Sequence, residues 1–370
     1  MSLKVANIVG ARPNLMKIAP IIREMRRFPQ VEPVLVHTGQ HYDDNMSDVF
    51  FRELGIPVPG YNLEVGSGTH TWQTAQVMLA LEPLLLELCP DCVLVVGDVN
   101  STLAAALVAA KLHIPLAHVE AGLRNFDPTM PEEVNRKLTD VVSDYLFTTS
   151  RNANENLRRE GIPEHKVFFV GNVMIDTLLR YHSRVDALQV SARYGVAPDN
   201  YAVLTLHRPS NVDALEGLTS IVDVLDVIQT RLPVLFPAHP RTYERLVQFN
   251  LLQRLKSMPE VKLLKPLGYL EFLSLMAHAQ LVLTDSGGIQ EETTVLGVPC
   301  LTLRENTERP VTISEGTNEL VGTLPERIIG AVWKVLDEGG KTGRHPELWD
   351  GRAAERIVAI LRENLGGAGE

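Results

Sequence analysis

Short apolar runs recur along this chain, each closed by glycine or by a polar residue. In the first half they fall at Lys4–Gly10, Glu32–Thr38, Val93–Gly97, Leu116–Val119, Tyr145–Thr149 and Lys166–Val170. Runs this short, rich in Val, Ile and Leu, predict strands; the longer segments between them predict helices. Ser101–His113, for example, reads as one crossover helix between two strands. Strand alternating with helix is the βαβ pattern of a parallel, doubly wound sheet. A polar stretch around Arg180–Asn200 interrupts it. A second alternating set follows, with strands at Tyr201–Leu206, Pro233–Pro237, Val261–Leu264, Leu281–Thr284 and Val298–Leu303, and closing helices near Pro325–Asp337 and Arg352–Asn364. The expected architecture is α/β: two Rossmann-like doubly wound domains, 1–172 and 173–370, with the final helix a candidate for packing back on the N-terminal domain. Such sheets bind ligands at the carboxyl ends of their strands, so a central cleft between the domains is the expected site.

Composition changes this picture only at its edges. A chain of 370 residues is long for one core, which favours two domains. Hydrophobic content of 45% and charged content of 22% fit a soluble globular protein. A net charge of −10 argues against nucleic acid or an anionic membrane surface as the main partner. Three cysteines are too few for a disulfide framework and suit a reducing cytoplasm. Cys89-Pro-Asp-Cys92 precedes a strand instead of following one, and no second cysteine pair completes a zinc site; both read as structural thiols. The chain opens directly on a strand and has no long apolar run, so neither a signal peptide nor a membrane span is expected.

Candidate chemistry collects where strands end. Strand VLVVG runs into Asp98 and strand LAHV into Glu120; a parallel crossover brings both ends to one edge of the sheet. In the second set, His207-Arg208 follow one strand, His239 another, and Asp285-Ser286 a third. The stretch Leu281–Pro310 is the densest. Ser286-Gly287-Gly288 is turn chemistry that opens a helix, whose free N–H groups and positive dipole end suit a phosphate. Gly288 and Glu292 lie four apart on one helix face, so a carboxylate sits a turn beyond the phosphate seat, where a ribose diol could be gripped. An ordinary glycine-capped helix is the alternative.

The remaining motifs are ambiguous alone. Arg12 and Lys17, after the first strand, could meet a pyrophosphate or simply start a solvated helix. Pro131-Glu132-Glu133 starts another helix, in which Glu132 and Arg136 at i,i+4 predict a surface ion pair or a third active-site carboxylate. His207 and His239 could carry protons, bind metal or be partly buried. His37 and His41 lack the helical spacing of a zinc site, and no metal is expected. Gly340-Lys341-Thr342 lacks the first glycine of a P-loop, and Gly66-Ser67-Gly68 lacks the third of a dinucleotide fingerprint. Ser286 sits in a strand–turn–helix, as a helix cap or phosphate ligand and not a nucleophile.

Taken in order, GARPNLMKIAP (10–20), VVGDVNST (95–102), HVEAGLR (118–124), PEEVNR (131–136), HRPSNVD (207–213), PAHPRT (237–242), TDSGGIQEE (284–292) and TERP (307–310) resemble the non-hydrolysing UDP-N-acetylglucosamine 2-epimerases over nearly the whole chain. The resemblance implies a fold of the glycosyltransferase-B type, usually dimeric. It implies reversible conversion of UDP-GlcNAc to UDP-ManNAc without a nicotinamide or other cofactor, by elimination of UDP to a 2-acetamidoglucal and re-addition, supplying ManNAc for cell-surface polysaccharide. Arg12, Lys17, His207, Ser286, Gly287, Gly288, Glu292 and Arg309 would hold the nucleotide diphosphate, and Phe272 would lie beside the uracil. Asp98, Glu120 and Glu132 would be catalytic carboxylates, with Arg136 and His239 beside them and His207 as a further catalytic candidate. The family's chemistry needs a base at C2, cationic or N–H donors for the departing pyrophosphate and a closed site.

Two segments depart from the family. Many bacterial members carry HRREN where this chain has His207-Arg208-Pro209-Ser210-Asn211, and a QHRxM-like segment where it has Gln40–Met46. Both regions contribute in the family to an activating second UDP-GlcNAc site, so activation is not expected to carry over automatically. Related readings are an epimerase for a UDP-linked diacetamido sugar, a hydrolysing epimerase, a glycosyltransferase of the same architecture and a nucleotide-sugar sensor.

Overall fold

The computed structural model of the protein describes residues 2–40, 55–56 and 58–366. They form two compact units: 1–179 together with 347–370, and 180–346.

The first unit holds a parallel sheet of β1 (Leu3–Val9), β2 (Val31–His37), β3 (Tyr61–Asn62), β4 (Cys92–Val96), β5 (Leu116–Ala121), β6 (Tyr145–Thr148) and β7 (Val167–Phe169). Its order is β3-β2-β1-β4-β5-β6-β7, with every described pairing parallel. The direction of winding reverses between β1 and β4. There the crossovers leave to opposite sides and open a crevice at the strands' carboxyl ends. The helices of this unit are α1 (Arg12–Met25), α2 (His70–Leu88), α3 (Asn100–Lys111), α4 (Pro131–Val142), α5 (Arg151–Arg159) and α6 (Val173–Leu188). β4 is buried at every position, as a central strand covered on both faces must be. α3 is Ala-rich and almost wholly buried; its small side chains let it lie close to both α2 and α4.

The second unit repeats the plan with β8 (Ala202–Thr205), β9 (Val234–Pro237), β10 (Val261–Leu264), β11 (Leu281–Thr284), β12 (Cys300–Thr302) and β13 (Asn318–Leu320). The order β10-β9-β8-β11-β12-β13 is again parallel, and here the winding reverses between β8 and β11. Its helices include α7 (Leu215–Ile228), α8 (Pro240–Gln248), α9 (Tyr269–Ala277), α10 (Gly287–Leu296), α11 (Pro310–Ser314) and α12 (Pro325–Glu338). Its core joins Leu204, Phe236, Leu283 and Leu301 of the strands to Ile221 and Leu225 of α7 and Val332 of α12.

The α/β class and two parallel sheets are as the periodicity predicts. The seam differs in place from the sequence reading. It falls inside α6, at 179/180, instead of at 172/173, and the polar stretch after Arg180 begins as the end of that helix. The last helix, α13 (Ala353–Leu365), belongs to the first unit and packs on α1. It is anchored by Asp176 of α6, whose carboxylate accepts the Ala353 and Ala354 backbone N–H groups at 3.1 and 2.7 Å. Trp349 is buried just before it and donates its indole N–H to the Thr149 carbonyl at 2.9 Å. β3 and β13, two and three residues long, are edge pieces without an apolar run to announce them. Among the described residues no helix is long and apolar enough to cross a membrane.

Candidate active site

In the first unit the polar residues cluster at the winding reversal. Asp98 follows β4 and Glu120 ends β5, as their strand positions require. Glu120 is buried to 2% exposure and holds a left-handed backbone, φ 69°, at a register shift between β5 and β6. A bulge of this kind re-aims a side chain. One carboxylate oxygen, Oε2, is ion-paired with the buried Nζ of Lys17, which reaches over from α1. The other, Oε1, is buried and has no hydrogen-bond partner among the described residues. Gly97, φ 70°, lies against this pair: a Cβ there would stand 3.1 Å from Lys17 Nζ and 3.7 Å from Glu120 Oε2. The positive φ favours glycine here, and a Cβ would crowd the lysine ammonium.

Asp98, about a third exposed, takes a 2.6 Å charge-assisted bond at Oδ2 from Arg136 Nη1. The i,i+4 ion pair between Glu132 and Arg136, one of the two alternatives, is not among the described contacts. Arg136 is buried and turns instead to Glu133, with Nε and Nη2 at 3.2 and 2.7 Å from Oε2. Glu133 also accepts the backbone N–H groups of Asn125 and Phe126, which fastens the loop before α4. Its side chain is therefore committed to structure. Glu132, half-buried in the first turn, makes no ion pair or hydrogen bond among the described residues. Arg12 is the first residue of α1, and its side chain lies outside what is described.

In the second unit the winding reversal gathers His207 after β8 and Asp285-Ser286 after β11. Asp285 is fully buried and accepts the backbone N–H of His207 and of Arg208, the Asn211 amide and His207 Nδ1, the last at 2.9 Å. Burial alone would raise its pKa, but these donors, His207 first, hold it below the ordinary carboxylate value. His207 keeps 42% of its side chain exposed, and its ring lies 5.9 Å from that of His239. His239 caps α8, where its Nδ1 accepts the Arg241 N–H at 3.2 Å.

Ser286 occupies the N-cap of α10, and its side chain makes no capping bond. The first N–H groups of α10 thus carry the dipole's positive end without an intrahelical partner. Gly287 and Gly288 open the helix. A Cβ on Gly287 would fall 2.9 Å from Arg309 Cζ and nearer still to the Glu308 carboxylate. Glu308 is buried among Arg309, Arg304 and Arg208. Burial opposes its charge, but the guanidinium groups outweigh it and hold the carboxyl well below its usual range. Arg309 also meets Glu291 at 2.9 Å, so its guanidinium forms the floor under Gly287. One turn into α10, Glu292 is 4% exposed and accepts the Tyr269 hydroxyl at 3.0 Å. Burial, with the neighbouring Glu291, pushes its carboxyl up to about 8 against the Tyr269 bond. Phe272 is half-buried one turn beyond Tyr269 on α9.

The profile described as UDP-N-acetylglucosamine 2-epimerase matches residues 23–362. The chain belongs to this family. It is 47% identical over 364 residues to the UDP-N-acetylglucosamine 2-epimerase of Methanocaldococcus jannaschii, covering 97% of this chain and 99% of that one. It is 43% identical over 365 residues to the UDP-2,3-diacetamido-2,3-dideoxy-D-glucuronate 2-epimerase of Pseudomonas aeruginosa, at 97% and 99% coverage. The crystal structure of the M. jannaschii epimerase in complex with UDP-GlcNAc and UDP superposes with a TM-score of 0.91, covering 97% and 99% of the two chains.

Within this epimerase framework, several residues escaped the sequence reading. Glu133 was one, although its i,i+3 spacing to Arg136 was there to find. Tyr269, Glu308 and the buried set His118, Asp140, Arg124 and Glu160 were others; burial, not spacing, marks them. Of the two segments that depart from the family, His41–Met46 lies outside the described residues. Asn211, in the other, holds Asp285 and the Leu303 carbonyl, the latter at 3.1 Å.

Proposed function

We propose that this protein interconverts UDP-N-acetylglucosamine and UDP-N-acetylmannosamine. The observation that carries the reading is Glu120: a buried carboxylate whose second oxygen has no partner, aimed by a bulge at the end of β5. Leaving a buried acceptor unmatched costs roughly 1–3 kcal/mol, a cost that a ligand atom can relieve. The hydrogen at C2 of an acetamido sugar has no adjacent carbonyl to acidify it, so the route is elimination. A carboxylate, Glu120 or Asp98, takes the C2 proton; the C1–O bond to UDP breaks, a C1–C2 double bond forms and UDP departs with the bonding pair. Re-addition of UDP with delivery of a proton to the other face of C2 gives the epimer. Glu132, uncommitted in the first turn of α4, serves as acid/base partner, and Lys17 and Arg136 hold Glu120 and Asp98 in place.

Residues of 180–346 hold the nucleotide. The N–H groups at Ser286–Gly288 receive a phosphate, Glu292 the ribose hydroxyls and Phe272 the uracil, with His207 and Arg309 beside the diphosphate. The loss of capping by Ser286 supports the phosphate role, since it leaves those donors for a ligand. The protein works in the cytoplasm as a homodimer and supplies ManNAc units for surface polysaccharide. Exposed Val134, Leu138 and Val141, which recur at i, i+4 and i+7 along α4, support the dimer.

Incubation with UDP-GlcNAc in D2O, followed by NMR, tests the reaction. UDP-ManNAc deuterated at C2 is expected; a sugar that returns unchanged refutes it. The relation to the P. aeruginosa enzyme favours one second reading, a UDP-diacetamido sugar as substrate. Turnover of that sugar at a kcat/KM at least tenfold above UDP-GlcNAc would select it.

A further inference from the structure

Asp98 and Glu120 stand on two different strand ends, and both rest on one buried pair that the mechanism above does not use. His118 of β5 is fully buried. Its Nδ1 lies 2.7 Å from Asp140 Oδ1, and its Nε2 lies 2.9 Å from the carbonyl oxygen of Gly97. An imidazole with an oxygen acceptor on each nitrogen satisfies both only by donating twice. Gly97 is the residue before Asp98, and its N–H is already bound to the Val119 carbonyl at 3.0 Å. The peptide that aims Asp98 is thus held at both ends from β5.

The other oxygen of Asp140 reaches the second strand end. Oδ2 accepts the backbone N–H of Gly122 at 3.1 Å, two residues past Glu120 and on the far side of the bulge. The same oxygen takes Arg124 Nη2 at 2.6 Å, and Arg124 forks onto Glu160 with bonds of 2.9 and 2.6 Å. Burial opposes ionisation of Asp140, but His118 and Arg124 outweigh it and keep the carboxyl below its ordinary value. Every member of the cluster is satisfied by another, which is the condition under which a buried polar network specifies one geometry.

We infer that His118 and Asp140 form a positioning pair that fixes the turn carrying Asp98 and the bulge carrying Glu120 in one mutual register. The inference rests on the catalytic reading of those two carboxylates. Asp140→Asn keeps the shape but cannot accept from His118, Gly122 and Arg124 together. Its kcat, per folded molecule, is expected to fall on the order of 10²-fold, because displacements of about an ångström in a reacting geometry cost that much. KM and the dissociation constant of UDP are expected to stay within threefold. A variant that merely loosens the fold would lower its melting temperature and leave kcat per folded molecule unchanged; that result, or a loss of UDP affinity parallel to the loss of kcat, overturns the inference.

Asp98→Asn and Glu120→Gln belong in the same experiment. If they retain turnover, the catalytic reading falls and the positioning pair with it. If they lose it while Asp140→Asn does not, only the positioning pair falls. Should Asp140→Asn fail to fold, His118→Gln is read in its place: kcat per folded molecule lower on the order of 10²-fold with UDP affinity within threefold sustains the inference, and an unchanged kcat refutes it.

Discussion

Glu292→Gln is expected to make the nucleotide-free protein more stable and worse at binding UDP. The Glu292 carboxyl ordinarily ionises near 4.5 and is pushed up to about 8 here, first by burial and then by Glu291. Below pH 4.5 the group is neutral in both the folded and the unfolded chain and has no effect. Between 4.5 and 8 the unfolded chain gives up this proton and the folded one keeps it, so stability falls as pH rises; above 8 both are ionised and the loss levels off. At about 1.4 kcal/mol per pH unit, the loss reaches about 1 kcal/mol at pH 5, about 3 at pH 7 and about 5 above pH 9. Glutamine cannot ionise, and its amide oxygen can still accept the Tyr269 hydroxyl, so the variant escapes this loss. The assay is urea-dependent hydrogen exchange on peptides of 180–346 at pH 5, 7 and 9, with UDP titrations beside it. At pH 9, where the Glu292 carboxyl is ionised, UDP affinity is expected to drop about tenfold from one lost charged hydrogen bond. A stability gap under 1 kcal/mol at pH 9, or one that does not widen with pH, would refute the burial argument.

Three further outcomes follow from named contacts. Asp98→Asn and Glu120→Gln should each cut kcat by about 10²–10⁴-fold with little change in UDP affinity, measured by coupled turnover and calorimetry. Gly287→Ala drives a methyl group into Arg309 and Glu308; it should weaken UDP binding and cost about 1–3 kcal/mol of stability, read by calorimetry and urea unfolding. Trp349→Ala empties a buried site and strands the Thr149 carbonyl; about 3–5 kcal/mol is expected to be lost from the first unit, with exchange in 180–346 unaffected.

The fold was legible because central parallel strands must be apolar on both faces, and VLVVG or LVLTD allow little else. Their ends were legible too: polar residues collect at the carboxyl ends of parallel strands, and Asp98, Glu120, His207 and Asp285 stand there. Partnerships were not legible. Spacing along α4 offered Arg136 two carboxylates, at i−4 and i−3, and only the loop that Glu133 closes decides between them. The Ser286 hydroxyl was expected to cap or to bind, and chain order alone cannot choose. Burial is the other missing quantity. Nothing in the letters around Tyr269 or His118 distinguishes an interior side chain from an exposed one, yet burial is what makes Glu292 hard to ionise and Asp140 a hub.

The first unit is written in two pieces, with the whole of 180–346 between them. A ribosome therefore releases the strands of the first sheet early and the helix that covers α1 only after the whole of 180–346. Domains ordinarily fold in the order in which they emerge. Here the order is broken: the second unit can complete itself while the face of α1 that awaits Ile357, Val358 and Leu361 is still bare, and Asp176 has no helix terminus to hold. A chain cut short before Ala353 would lose no part of 180–346 and would leave the first unit unfinished.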